Sequence, residues 1–104
     1  MVYFSAISVW EIAMLAHRGR IALREPIKDW VARFLDLPSM EAIAVTHRIA
    51  ARAYSFDRYD GGDPADRMLI ATAVELNCPL ITYDARILQF AQRHGRRYGF
   101  TAIA

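Results

Sequence analysis

The sequence predicts an α/β fold built on a parallel β-sheet. Short apolar runs with the length of buried strands alternate with longer segments of helical apolar spacing, and strands separated by helices favour parallel pairing. The chain has 104 residues, of which 55% are hydrophobic and 23% charged, an ordinary balance for a globular protein. We therefore expect residues 1–104 to form a single domain with its own core.

The first strand is predicted at residues 2–7, a short run with the apolar character of a strand that is buried on both faces. Ser8 follows this run, and Glu11 lies three residues later in the Ser-x-x-Glu pattern of a capping box. We expect a helix from about residue 9 to His17, with Gly19 as its stop signal.

Two helices flank the second predicted strand. Pro26 starts a helix that runs to residue 35, ahead of a second proline. The strand is predicted at residues 42–45, and Thr46 can cap a helix that continues through Tyr54. A polar, glycine-containing loop follows.

The second half of the chain opens with the clearest helix signal. Asp63 is an N-cap residue, Pro64 takes the first helical position and Asp66 the third. This helix should stop near Asn77, and a third strand is predicted at residues 79–82.

A last helix and a weak last strand complete the predicted fold. Asp84 can cap the helix, Gly95 is expected to end it, and the strand is predicted at residues 100–103. Because sites in parallel α/β sheets gather beyond the carboxyl ends of the strands, acids at those positions are candidates for function.

Two such acids are predicted to meet at one edge of the sheet. The helix from Asp66 to about residue 76 is about 16 Å long at 1.5 Å per residue, and five strand residues return about 16 Å at 3.3 Å each. Asp84 therefore ends near the level at which Asp66 begins. Asp63 lies one turn earlier, and Glu11 lies near the start of the helix after the first strand.

Carboxylates that converge in one cleft repel one another, and they persist when a cation neutralises them. Oxygen ligands favour Mg²⁺ or Mn²⁺ over zinc or copper, and these ions support phosphodiester hydrolysis. The alternative is that Asp63, Asp66 and Asp84 only cap helices, and that Glu11 only completes a capping box. Because capping and metal binding are compatible, both interpretations stay open.

Arginine dominates the positive charge of the chain. Lys28 is the one lysine among thirteen cationic residues, and the guanidinium fork of the others matches phosphate. Arg93, Arg96 and Arg97 form a basic cluster beside Tyr98 that can meet RNA phosphates. The other interpretation of this cluster is a solvated helix end.

The one cysteine, Cys78, excludes a disulfide framework and a Cys-rich zinc site. The apolar runs are far shorter than the ~20 residues of a membrane span, and no signal peptide opens the chain. We therefore expect a cytoplasmic protein with no membrane partner.

Three segments resemble PIN-domain proteins of the VapC toxin type. SAISVWEI at residues 5–12 is similar to the family's second-acid segment, DPADRMLIATA at residues 63–73 to its Asp-Pro-x-Asp-Arg-x-Leu-Ile-Ala segment, and PLITYD at residues 79–84 to the strand of its last acid. The resemblance implies a PIN-like parallel sheet sandwiched by helices and a Mg²⁺- or Mn²⁺-dependent endoribonuclease, the toxin of a toxin–antitoxin pair. It implies an RNA substrate, a cognate antitoxin protein and a homodimer.

By the same resemblance, Glu11, Asp66 and Asp84 take the places of the second, third and fourth family acids and are the expected catalytic residues. They are also expected metal ligands, together with Asp63, which matches an additional acid of this subgroup. Candidates for contacts with phosphate or with the ligand carboxylates are Thr82, Arg67 and Arg86.

The chain departs from the family at its N-terminus. Family members begin with a strand that ends in the first catalytic Asp, ahead of the segment that opens this chain. We therefore expect an N-terminally truncated PIN-like domain with weak or no ribonuclease activity. We also expect the strands at residues 2–7 and 80–82 either to pair directly or to be bridged by another chain, because unpaired strand edges promote aggregation.

The alternative function follows from the same departure. Without the first acid, the chain is expected to serve as a catalytically silent PIN-like module that binds an antitoxin peptide or RNA without cleaving it.

Overall fold

The computed structural model describes residues 1–104. The chain forms two compact units, Met1–Ala44 and Val45–Ala104, and each is described by itself. The single-domain organisation of residues 1–104 therefore stays a prediction. None of the helices combines the length and the apolar character needed to cross a membrane.

The first unit contains two strands and two helices, and the second contains three helices and two short strands. In the first unit these are β1 (Val2–Ser5), α1 (Ala6–His17), α2 (Ile27–Leu35) and β2 (Met40–Ile43). In the second they are α3 (His47–Arg52), α4 (Pro64–Leu76), β3 (Leu80–Ile81), α5 (Ala85–Tyr98) and β4 (Ala102–Ile103). The α/β class is confirmed.

Strand pairing is parallel in both units, as the alternation of strands and helices predicts. β1 pairs with β2 in a register that places Val2 opposite Met40, and β3 pairs with β4 with Leu80 opposite Ala102. The strands therefore form two two-stranded sheets instead of one continuous sheet.

Of the two predicted outcomes for the strands at residues 2–7 and 80–82, direct pairing is not the one formed in this structure, and bridging by another chain stays a prediction. Strand β3 pairs instead with the C-terminal segment. The amides of Leu80 and Thr82 donate hydrogen bonds to the carbonyl oxygens of Thr101 and Ile103, each at 2.9 Å. The last strand, which is weak by sequence, is therefore the partner that β3 uses.

The prediction that residues 2–7 and 80–82 are buried strands is also wrong. Val2 and Tyr3 are each 43% exposed, and Ile81 is 62% exposed. Each strand has one neighbouring strand in a two-stranded sheet, so its other edge and part of its apolar surface lack the cover that a central strand receives.

Helix α1 begins three residues earlier than the capping-box pattern predicts. Ser5 has an extended backbone and its hydroxyl oxygen accepts a hydrogen bond from the Ile7 amide at 3.1 Å. Ser5 is therefore the N-cap, and Ser8 lies inside the helix. Glu11 is consequently a mid-helix residue, and the capping-box interpretation of this side chain is wrong.

The core of the second unit lies among α3, α4 and α5. The largest fully buried side chains are Phe56, Ile70 and Ile87. The ring of Phe90 is the centre of an aromatic group, with ring centroids 5.6 Å from Tyr98 and 5.7 Å from Phe100. This core fixes the helices whose N-terminal ends carry the candidate acids.

Helix α4 follows its sequence signals closely. Asp63 is the N-cap, Pro64 opens the helix, and Asp66 lies in the first turn. Asn77 ends the helix in the left-handed region with φ 52°, a conformation that asparagine tolerates better than most residues.

Helix α5 ends at Gly99, so the prediction that Gly95 ends it is wrong. Gly99 has a positive φ of 68°, which favours glycine. Gly95 is buried inside the helix for a packing reason, because a Cβ at this position would collide with the Phe100 carbonyl oxygen. The Gly95 carbonyl also accepts a hydrogen bond from the Phe100 amide at 2.9 Å.

Candidate active site

The first two candidate acids lie at the N-terminal end of α4. The Asp63 carboxylate accepts a hydrogen bond from the Ala65 amide through Oδ1 at 2.9 Å. Asp66 lies one turn further along and accepts a hydrogen bond from the Tyr59 hydroxyl through Oδ2 at 3.3 Å. Both carboxylates are therefore positioned by the start of the same helix.

The third candidate acid lies in the turn that joins β3 to α5. The Thr82 hydroxyl oxygen accepts a hydrogen bond from the Asp84 amide at 3.1 Å and shapes this turn. Asp84 Oδ1 in turn accepts from the amides of Arg86 and Ile87 at 2.9 and 3.1 Å. One oxygen makes both capping bonds, so Oδ2 of this exposed carboxylate can face a ligand.

The predicted capping roles of Asp63 and Asp84 are confirmed, since both side chains accept amide hydrogen bonds at helix starts. These bonds do not exclude metal binding. Each carboxylate uses one oxygen as a cap, and a carboxylate can bind a cation through its other oxygen.

Burial raises the pKa of the Asp66 carboxyl, and the negative charges of Asp63 and Asp84 raise it further. The Tyr59 hydrogen bond and the Arg86 guanidinium act in the opposite direction. Asp63 and Asp84 therefore both lie within electrostatic reach of Asp66. The proximity of Asp66 and Asp84 agrees with the matched lengths of the helix and strand that separate them.

Tyr59 is a site residue that sequence reasoning missed. Its side chain is 2% exposed, and burial together with the Asp66 charge raises the pKa of its phenol above the ordinary range. The hydroxyl therefore stays protonated at neutral pH and can donate to Asp66. Gly61 gives this ring room, because a Cβ there would collide with it.

Arg67 contacts both the backbone and the ring of Tyr59. Its guanidinium donates a hydrogen bond to the Tyr59 carbonyl oxygen at 2.7 Å. The same group lies over the rings of Tyr54 and Tyr59, at 5.1 and 5.4 Å from the centroids. Arg67 thus fixes the loop that carries Tyr59, and its predicted contact with phosphate stays a prediction.

The other predicted residues have distinct places. Arg86 is exposed on the first turn of α5, near enough to Asp66 to lower the pKa of that carboxyl. Glu11 is half-buried in the middle of α1, in the unit Met1–Ala44. Its predicted role as a metal ligand and catalytic acid stays a prediction.

The donor chemistry of unit Val45–Ala104 suits a hard divalent cation. Asp63, Asp66 and Asp84 supply carboxylate oxygens, and their mutual repulsion favours a neutralising ion. No group of three or more His, Cys, Asp or Glu side chains is arranged so that it could hold a metal ion.

Comparison with known proteins gives two matches to one family. The PIN-domain model matches residues 1–93. Ribonuclease VapC22 of Mycobacterium tuberculosis is 36% identical over 92 residues, which is 88% of this chain and 68% of that protein. No solved structure gives a significant match.

The family match begins at residue 1, and β1 begins at Val2. These comparisons therefore give no support to the prediction that the chain lacks an N-terminal family strand.

Proposed function

We infer that this chain, which belongs to the PIN-domain family, is a metal-dependent endoribonuclease and the toxin of a toxin–antitoxin pair. The observation that carries the proposal is the placement of Asp63 and Asp66 at the start of α4 and of Asp84 at the start of α5, with Asp66 half-buried and within electrostatic reach of the other two. Carboxylates held this close are typical of sites where they share a cation. The relative that the chain matches is named a ribonuclease.

In this proposal the three carboxylates bind Mg²⁺ or Mn²⁺, and Asp66 and Asp84 act as catalytic acids of the site. When bound, the cation stabilises the negative charge that develops on the phosphodiester during hydrolysis. Tyr59 positions Asp66 by donating a hydrogen bond from its hydroxyl to the carboxylate. Thr82 positions Asp84 because its hydroxyl oxygen accepts a hydrogen bond from the Asp84 amide, and Arg86 supplies positive charge next to the site.

Glu11 is proposed as a further ligand and catalytic acid, on the resemblance of its segment to the family's second-acid segment.

The partners are proposed from the family. They are an RNA substrate, a cognate antitoxin protein and a second copy of the chain in a homodimer, and the proposed location is the cytoplasm. The homodimer has physical support in the exposed apolar residues of the strands, which include Val2, Tyr3 and Ile81.

One observation favours a second function. No three acidic, histidine or cysteine side chains are arranged as a metal site, which is compatible with a catalytically silent module. Such a module would bind an antitoxin peptide or RNA without cleaving it.

A single-turnover cleavage assay distinguishes the two functions. Excess protein is incubated with an end-labelled single-stranded RNA in Mg²⁺ or in EDTA, so that slow cleavage is measurable. Asp84→Asn keeps a residue that caps helices well but removes the charge. Asp57→Asn, an exposed loop substitution, is the matched control.

The ribonuclease proposal expects cleavage in Mg²⁺ that is absent in EDTA, at least tenfold slower in Asp84→Asn and unchanged in Asp57→Asn. RNA binding without cleavage would overturn it in favour of the silent module. Cleavage that is equal in EDTA and Mg²⁺ would also contradict it.

A further inference from the structure

Helix α5 presents a face of uniform positive character. The helix contains no Asp or Glu. Its exposed side chains after the first residue are Arg86, Gln89, Gln92, Arg93, Arg96 and Arg97. At about 100° per residue, Arg86, Arg93 and Arg97 fall within about 40° of one line along the helix. We call the surface of these three residues the α5 arginine stripe.

Neither salt bridges nor the helix dipole accounts for Arg93, the middle member of this stripe. The salt bridges of the protein join Arg33 to Glu25 and join Arg48 and Arg52 to Glu75, and none includes a residue of α5. The helix dipole favours cations in the last turn, which explains Arg97. It does not favour Arg86 in the first turn or Arg93 in the middle.

The stripe also has a defined direction relative to the candidate acids. Helix α5 starts directly after its N-cap Asp84. With a rise of 1.5 Å per residue, Arg93 lies about 10 Å and Arg97 about 16 Å beyond Arg86 along the helix axis. Arg86 is the member within electrostatic reach of Asp66. The stripe therefore leads away from the acids.

A ligand with regularly spaced negative charges fits this surface. Arginine binds phosphate through its planar fork, and the Arg97 guanidinium lies over the ring of Tyr98, 5.2 Å from its centroid. Gln89, about 60° around the helix from Arg86, offers a neutral hydrogen-bond donor beside the stripe. These groups can contact a sugar–phosphate backbone without reading bases.

We propose that the α5 arginine stripe binds the backbone of single-stranded RNA and holds the strand that runs to the acids at Asp66 and Asp84. The identity of this RNA as a substrate rests on the proposed function, whereas binding to the stripe does not. Phosphate contacts of this kind depend on salt because bound cations are released from the nucleic acid.

The test measures binding of a fluorescein-labelled single-stranded RNA of mixed sequence by anisotropy. The buffer contains EDTA, so that binding is separated from cleavage. Wild type is compared with Arg93→Gln/Arg97→Gln, and the matched control is Arg18→Gln/Arg20→Gln, which removes two exposed arginines beyond the end of α1.

The proposal expects Arg93→Gln/Arg97→Gln to raise Kd about tenfold or more and to lower the slope of log Kd against log salt by about 1.4, at about 0.7 per lost phosphate contact. The control should bind as wild type does. Equal Kd and equal slope in wild type and the α5 variant would overturn the proposal. Tighter binding of an acidic peptide than of RNA would overturn it in favour of a protein partner.

Cleavage by the same proteins separates the two proposals. If the wild-type protein binds RNA through the stripe but never cleaves it, the ribonuclease proposal is contradicted and the RNA-binding proposal for the stripe is not. Cleavage with an unchanged KM in the α5 variant would contradict the stripe and leave the ribonuclease. If both hold, the variant raises KM by more than it lowers kcat.

Discussion

Tyr59→Phe removes one hydroxyl from the candidate active site and keeps the buried ring. The hydroxyl donates to Asp66 Oδ2 at 3.3 Å, which is long for a bond to a carboxylate. The ring contacts of Tyr59 with Arg67 and Phe90 do not involve this hydroxyl. The substitution therefore tests the contribution of the hydrogen bond from the Tyr59 hydroxyl to Asp66.

The structure sets the size of the expected effect. A hydrogen bond to a charged group contributes about 1.5–3 kcal/mol, and the long donor–acceptor distance reduces this value. Asp66 is half-buried, so water can solvate part of the carboxylate after the substitution. We expect Tyr59→Phe to lower the free energy of unfolding by about 1 kcal/mol at about pH 8.

The pH dependence gives the sign of the interaction. The hydrogen bond lowers the pKa of Asp66, which burial and the neighbouring acids raise. The bond therefore favours the ionised carboxylate, and the stability deficit of Tyr59→Phe should be present above the folded-state pKa of Asp66. It should shrink as the pH falls through that pKa and protonates the acid.

Urea unfolding of wild type and Tyr59→Phe at about pH 8 and about pH 4 measures how the stability deficit of the variant changes with pH. Tyr54→Phe is the control, because Tyr54 is 65% exposed and contacts Arg67 through its ring face. An equal deficit at both pH values, or no deficit at either, would refute the reasoning.

Three further predictions concern the helices of the second unit. Gly95→Ala should lower the free energy of unfolding by about 1–2 kcal/mol in urea titrations, because the collision with the Phe100 carbonyl outweighs a helix-propensity gain of about 1 kcal/mol; a more stable variant would contradict the packing. Asp66→Asn should stabilise the metal-free protein at neutral pH, since ionisation of an acid with a raised pKa opposes folding. That gain should vanish as the pH falls below about 3.9, and a gain that persists in acid would argue against it. Asp84→Ala should cost about 1 kcal/mol through loss of the cap while Asp84→Asn costs little, and equal losses in thermal melts would show that capping is not the cause.

Local signals predicted the helix that carries most of the site. Asp63, Pro64 and Asn77 act through the backbone of their own helix ends, so the sequence alone contains the relevant interactions. The same locality explains why Asp66 and Asp84 could be placed near each other from a length calculation. Helix and strand rise per residue are fixed quantities.

Other features depend on contacts with residues outside the element itself, and these the sequence did not predict. Gly95 has no room for a Cβ because the Phe100 carbonyl oxygen, beyond the end of the helix, packs against it. Val2 and Ile81 are exposed because each strand acquires a single partner. Tyr59 becomes a site residue because its ring is buried against α5 and its hydroxyl meets α4.

Ser5 and Ser8 show why the start of α1 could not be located from the sequence. Both residues are helix-capping types, and only the second stands three residues before a glutamate. The strand ends at Ser5, so the earlier serine meets the first turn and caps it. A motif match could not locate the end of the strand.

The central claim is that Asp63, Asp66 and Asp84 act together on one divalent cation. Titration of the protein with Mn²⁺, followed by the electron paramagnetic resonance signal of the unbound ion, measures this directly. The account predicts that wild type and Asp57→Asn bind Mn²⁺ with the same Kd, and that Asp66→Asn and Asp84→Asn each weaken binding at least tenfold. Binding that is absent in wild type, or equal in all four proteins, would contradict the account.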